Sequence, residues 1–360
     1  MPAESPDAPT PTGPDVWPPT TRWPAPLNAA LPQLKQLPAH TLLGVSGGAD
    51  SLALAIAAAV ADRTDHSDRQ VTAVVVDHQL QPGSADVAQR TAAVLERLGI
   101  TTHVRAVTVD SGAGLEAAAR DARYEAFRDV AELTGATIVA TAHTADDQAE
   151  QVLLGLARGS GLRSLAGIRR TRTHGPLTVV RPLLHLTRAD TETICRWAGV
   201  SWWEDPMNGD GARARVRHRL LPALEDPGTG LGPGVRAGLI RTANLVADDA
   251  EALEDWAHRV YAGARADIPA DPATPATVAL RLDHLAPLPT AIRRRVLALA
   301  AVELGSTPTA ERLHAVDALM DRRPGSSAGP IELPGLHVTR ERGSEYATLL
   351  MFRRLRRAPR

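Results

Sequence analysis

Two glycines flanked by serines stand at residues 46–51, Ser46-Gly47-Gly48-Ala49-Asp50-Ser51, between the apolar run 41–45 and an alanine-rich stretch. Such a loop bares its backbone N–H groups, and at a helix N-terminus these converge on an anion together with the positive end of the dipole. A side chain at 47 or 48 would hold a phosphate away from them. Ser46 and Ser51 add hydroxyl donors. Asp50 repels a phosphate directly. It reads either as the partner of a Mg²⁺ that bridges it to phosphates or as an acidic complement to the helix start. A second set is His143, Asp146, Asp147 and Glu150. The carboxylates are spaced i,i+4 and i,i+3, which predicts that all three share one helix face. An ordinary helix start also gathers acids. Beside a phosphate loop, they could instead hold Mg²⁺, or bind an incoming ammonium and take its proton.

Elements that would position these groups are legible. Strands are predicted at 41–45, 71–77, 102–109, 137–143 and 177–183, and helices at 51–61, 84–98, 115–134, 146–158 and 187–198. Strands alternating with helices imply an α/β fold, a parallel sheet with helices on both faces. Ligands then bind outside the carboxyl ends of the strands. Ser46, Asp77-His78 and His143 end three strands and should face one crevice. Residues 222–234 and 268–276 are Pro/Gly- and Pro-rich breaks around a long helix at 234–262. Beyond them, helices are predicted at 290–304 and 309–321, then a hairpin turning at "RERGSE", giving a smaller, mainly helical C-terminal domain.

Composition excludes several classes. The single lysine, Lys35, is not in a G-x-x-x-x-G-K-[ST] loop, and the glycines do not space as G-x-G-x-x-G. Cys195, the one cysteine, excludes an intrachain disulfide, cysteine-rich zinc sites and a self-contained cysteine-ligated cluster, and is expected in the core. Formal net charge is −1, so whole-chain charge announces no polyanion. Its cations are almost all arginines, a bias that genome composition explains better, although arginine also suits phosphate and base edges. Nine prolines in residues 1–26 predict a disordered tail, with no apolar signal region and no membrane-length run elsewhere. The reading is a cytoplasmic protein without a membrane partner.

S-G-G-x-D-S after a strand resembles the pyrophosphate (PP) loop of the N-type ATP pyrophosphatases, which implies a Rossmann-like ATPase domain that adenylates a carbonyl-like oxygen. With it, "VDHQLQPGSADVAQ", "EAAARDARYEAF", "AHTADDQAEQ…RGSG", "WWEDPMN" and "RARVRHRLLP" follow in order, and the set resembles the tRNA(Ile)-lysidine synthetase family over residues 40 to about 224. The resemblance implies ATP and Mg²⁺ as cofactors, and as partners free L-lysine and a tRNA(Ile) with a CAU anticodon. It implies adenylation of O2 of the wobble cytidine, then attack of the lysine amine at C2. Position by position, it gives Ser46, Gly47, Gly48, Ala49, Asp50 and Ser51 to ATP, with Asp77, His78 and His143 beside them. Asp50, Asp147, Glu150 and Arg123 become catalytic, with Mg²⁺ on Asp50 or Asp147. Arg120, Arg123, Tyr124, Arg158, Arg213, Arg215 and Arg217 would contact the RNA, and Gly159, Gly161, Asp205 and Asn208 complete the motifs. Further arginines at 163, 169, 170, 172 and 219 face RNA or simply solvent.

Three positions depart from the family pattern: Thr144 stands for a second histidine, Gln151 for a threonine and Ala214 for an asparagine. The expected division is a tail at 1–26, a catalytic domain at 27–224, a linker and long helix at 225–265, and an RNA- or substrate-binding domain at 266–360. A homodimer is compatible with it. Two other readings stay open: a small-molecule adenylating amidase of the same fold, which needs no RNA surface, and a nucleotide sensor without turnover, which needs no carboxylate cluster.

Overall fold

The inner strands of the first sheet are short and apolar because they are covered on both faces. In the computed structural model, the described residues are 22–65, 70–109, 115–159, 161–204, 211–268, 276–320, 329–342 and 348–355. They form two units, 1–247 and 248–360. Residues 1–21 of the Pro-rich segment, Asp205, Asn208 and the second half of the "RERGSE" turn, residues 343–345, lie outside them. Helix α1 (Ala25–Lys35) starts inside the stretch expected to lack regular structure. Pro26 falls in its first turn, where no intrahelical N–H is required.

In the first unit, β1 (His40–Val45), α2 (Ala49–Asp65), β2 (Gln70–Asp77), α3 (Ser84–Arg97), β3 (Thr101–Ala106), α4 (Leu115–Thr134), β4 (Ile138–Thr141) and α5 (Ala145–Ala157) follow in order. Then come a short α6 (Leu162–Leu165), β5 (Thr171–His174), β6 (Leu177–Val180) and α7 (Arg188–Trp197). The sheet order is β3-β2-β1-β4-β6-β5, parallel except for the last pair. Leu43 lies level with Ala73 on β2 and Ala140 on β4. The chain runs outward from β1 to one side and later returns through β4 to the other. That reversal opens a crevice at the carboxyl ends of β1 and β4.

Helix α2 is apolar all round, and Leu52 to Ala61 are buried without a break. Its alanines let α1 and α7 pack closely, and Leu43, Val45, Ala73 and Val75 form the sheet side of that core. Leu42, Val74, Val139 and Val179 turn to the opposite face and meet Tyr124, Phe127 and Val130 of α4. Gly44 has a packing reason, since a Cβ there would lie 2.7 Å from the Phe127 ring. The unit continues with α8 (Gly211–Arg215), a π-helical turn (Val216–Leu220), α9 (Leu221–Glu225) and the start of α10 (Val235–Ala264). Val216, Leu221, Leu239 and Ile240 pack around Ala149 of α5.

The second unit holds β7 (Thr277–Arg281), α11 (Leu282–Leu285), α12 (Thr290–Glu303), α13 (Ala310–Ala318), β8 (Ile331–Leu333), β9 (Leu336–Arg342) and β10 (Thr348–Arg354). Its sheet is antiparallel, ordered β7-β10-β9-β8. Val278, Leu280, Val338, Leu350 and Phe352 form the sheet side of a core with Ile292, Val296 and Leu297. β9 and β10 make the expected hairpin.

Candidate active site

The turn after β1 is held by its own serines. The Ser46 N–H donates to Ser51 Oγ at 3.1 Å, and Ser51 Oγ donates to the Gly48 carbonyl at 2.9 Å. Gly47 sits at φ +83°, a conformation that costs any other residue strain. Gly48 is different. A Cβ there would meet nothing closer than 3.9 Å, so the fold itself does not demand glycine at 48. The Trp203 N–H donates to the Gly47 carbonyl at 3.0 Å and fixes the 202–203 segment against the loop.

Loop and crevice open on one cavity of about 750 Å³. Its wall includes Ser46, Gly48, Ala49, Asp50 and Ser51 from the loop, Asp77 and His78 from the end of β2, and His143 and Asp147 beyond β4. Arg123, Arg188, Arg213, Arg217, Trp202 and Trp203 complete the part that matters below. The expected crevice therefore gathers the three strand ends.

Asp50 accepts from Thr191 Oγ1 at 2.6 Å and from the Arg188 guanidinium at 3.0 Å. Burial raises its carboxyl above the ordinary value, Arg188 and Thr191 oppose this, and the negative charge of Asp147 adds to it. His78 is pulled down to about 4, by burial first and by Arg123 second. It is therefore neutral at pH 7, and its Nε2 lies 3.4 Å from an Arg123 nitrogen that can only donate. Burial also lowers the Arg123 guanidinium. His143 is brought to about 4 by burial, against the pull of Asp147, and its Nδ1 lies 3.1 Å from Thr141 Oγ1.

Thr144, at the position of the family's second histidine, is the N-cap of α5. Its N–H donates to Asp147 Oδ2 at 2.8 Å, and the two side chains form a capping box. The other Asp147 oxygen accepts from Arg217 at 3.1 Å. Arg217 also grips Glu150 with two bonds, 2.6 and 3.0 Å. Glu150 has no exposed surface and does not line the cavity. Burial raises its carboxyl, with Arg217 the strongest opposing influence. Glu150 thus reaches the site through Arg217 rather than directly. Gln151 accepts from Arg213 at 3.2 Å, so this departure from the family pattern is used locally.

The expectation that Asp146, Asp147 and Glu150 share one face fails at Asp146. Adjacent helix residues point about 100° apart, and Asp146 turns to α7 and α10. It accepts the Arg188 N–H at 2.8 Å and pairs with Arg236, which also bonds Glu225 at 3.0 Å. Arg120, Tyr124, Arg158 and Arg215 lie outside the cavity wall. Arg158 and Arg215 are exposed. Tyr124 is buried, with the Arg120 guanidinium 5.3 Å from its ring centre and His174 at 4.2 Å on the β5–β6 hairpin. Cys195 is a core residue, as expected, and its Sγ donates to the Ala49 carbonyl at 3.3 Å.

Sequence reasoning missed Arg188 and Thr191, which bond the loop aspartate from 138 and 141 residues away. It also missed the buried Arg181, which donates to the Arg169 carbonyl at 2.6 Å. Among the described residues, no three His, Cys, Asp or Glu side chains cluster as a closed metal site. The oxygens of Asp50 and Asp147 are hard donors, and each carboxylate raises the energy of the other's charge. That donor set fits Mg²⁺, which binds through one or two carboxylates and substrate phosphates.

Residues 26–224 match the family model described as PP-loop domain, and residues 280–346 the model described as TilS substrate binding domain. A tRNA(Ile)-lysidine synthase of Leifsonia xyli subsp. xyli is 43% identical over 85% of this chain and 88% of its own length. One from Thermobifida fusca is 45% identical over 84% and 90%. The chain belongs to the tRNA(Ile)-lysidine synthase family. A solved structure, the U34-tRNA thiolase NcsA from Methanococcus maripaludis, superposes with a TM-score of 0.51 at 16% identity, covering 62% of this chain and 78% of that one, which shows the shared fold. For a tRNA(Ile)-lysidine synthase family chain, the glycine loop is the PP loop, and ATP is the nucleotide such a domain uses. Among the described residues, no helix is long and apolar enough to cross a membrane.

Proposed function

We propose that the chain ligates free L-lysine to C2 of the wobble cytidine of a CAU-anticodon tRNA(Ile), through an adenylated cytidine. One observation carries the reading: the PP loop and the carboxylate of Asp147 open on the same cavity. In the first step cytidine O2 bonds to the α-phosphorus of ATP, and pyrophosphate leaves. Gly47 and Gly48 let the phosphates approach the backbone donors, and Ser46 supplies a hydroxyl. Neutral His78 and Arg123 stand at the end of β2 for the nucleoside part. Asp50 would hold Mg²⁺, whose charge offsets that of the phosphates.

In the second step the lysine amine bonds to C2, the C2–O bond breaks, and AMP leaves. AMP is the better leaving group, which is the chemical reason to adenylate first. Asp147 binds the incoming ammonium and takes its proton. Its capping-box bonds fix it before substrate arrives, so little reorganisation is needed. Glu150 holds Arg217 in place behind it. The exposed arginines, Arg158 and Arg215 among them, would meet the RNA phosphates. The test is release of AMP and pyrophosphate from ATP by the purified chain with Mg²⁺, lysine and a CAU-anticodon tRNA(Ile) transcript, omitting one component at a time. Lysine incorporation into the RNA, with AMP release requiring both tRNA and lysine, is expected. ATP cleavage indifferent to tRNA would move the substrate to a small molecule, and ADP as product would overturn the reading of the loop.

A further inference from the structure

A departing pyrophosphate needs positive charge near the loop. The only lysine, Lys35, is in the last turn of α1 and does not line the cavity. The cations in its wall are arginines, and three of them are engaged away from the loop. Arg123 contacts His78, Arg213 donates to Gln151, and Arg217 bonds Glu150 and Asp147. Arg188 differs. It is the guanidinium placed on the loop itself, through one nitrogen on Asp50 Oδ2 at 3.0 Å. Its Nε is buried without a hydrogen-bond partner, although the side chain as a whole is 42% exposed. The stem is anchored independently, because the Arg188 N–H is held by Asp146. Thr191 holds the other Asp50 oxygen at 2.6 Å, so Asp50 stays placed if the guanidinium leaves it.

Resting on the proposed ATP chemistry, we propose that Arg188 is a phosphate-binding residue of the adenylation step, exchanging its bond to Asp50 for the pyrophosphate portion of ATP. In that step the bond from the α-phosphorus to cytidine O2 forms, and the bond from the α-phosphorus to the α,β-bridging oxygen breaks. Pyrophosphate leaves with the electron pair. Arg188 faces the negative charge that this leaves behind, and its planar fork has donors to spare once it swings from Asp50.

Calorimetric titration of pyrophosphate in metal-free buffer, and separately of AMP, into the full chain tests this. Arg188→Ala should weaken pyrophosphate binding about 10- to 100-fold, the range of a lost charged hydrogen bond, and leave AMP binding unchanged. Thr191→Val loosens Asp50 but keeps Arg188, so it should retain pyrophosphate affinity. Equal weakening of pyrophosphate by both variants would mean that Arg188 acts only by bracing Asp50, and the proposal fails. Equal weakening of AMP and pyrophosphate in Arg188→Ala fails it too. If the unaltered chain binds neither pyrophosphate nor AMP, the functional reading falls and this one with it.

Discussion

Replacing Arg217 by Met should expose how a buried acid is kept charged beside the cavity. Glu150 has no exposed surface, and Arg217 is 19% exposed. Removing one partner of a buried pair costs about 3–5 kcal/mol. The lower end applies, since Arg213 Nε remains 3.6 Å from the carboxylate and the Met stem keeps much of the packing. For a unit of this size, a loss of about 3 kcal/mol lowers Tm by about 6–12 °C. The pH dependence is the sharper test. The native Glu150 carboxyl already lies above its ordinary 4.5, and Arg217 is what restrains it. Without Arg217 it rises further. Between the ordinary and the raised value the native state binds more protons than the unfolded chain, so stability falls as pH rises through that window. The variant's window reaches higher, so its deficit should be largest in alkali and shrink as pH falls through that window, where a protonated Glu150 needs no cation. Scanning calorimetry of both proteins across that range measures it, and Glu150→Gln added to the variant should flatten the difference. A deficit that is constant with pH, or greatest in acid, would falsify the assignment of Arg217 as the group that keeps Glu150 ionised.

Asp147→Asn should slow lysine transfer to preformed adenylated tRNA more than it slows pyrophosphate release; equal loss in both half-reactions removes the ammonium-binding role. Gly47→Ala should cost about 1–2 kcal/mol from its positive φ, whereas Gly48→Ala should leave Tm nearly unchanged and weaken ATP binding, as denaturation and nucleotide titration would separate. Cys195 is buried and its thiol is pushed up by burial, so a disulfide reagent should find no reactive thiol in the native chain and one after denaturation; fast native reaction would contradict the packing.

Strands β1, β2, β4 and β6 were legible because both of their faces are covered, which leaves an uninterrupted apolar run. β5, with the sequence Thr-Arg-Thr-His, is an exposed edge strand and carries no such run. Prolines at 24, 26 and 32 hid α1, though two of them fall where a helix tolerates them. In the site, the loop and the α5 carboxylates were readable because their chemistry is local. Helical spacing gave the face shared by Asp147 and Glu150, but not depth, so the burial of Glu150 behind Arg217 did not show. Asp50's partners on α7 come together only when the sheet closes.

The arginine-only wall has a consequence for self-damage. An adenylated cytidine reacts with any primary amine that reaches C2, not only with the intended amino acid. Guanidinium groups stay protonated at working pH and are poor nucleophiles, and the one ε-amine of the chain, that of Lys35, is not among the cavity's lining residues. The surface that must attract phosphate therefore offers the activated base no competing amine, and an amine-linked cross-link between enzyme and RNA is avoided by composition rather than by a barrier.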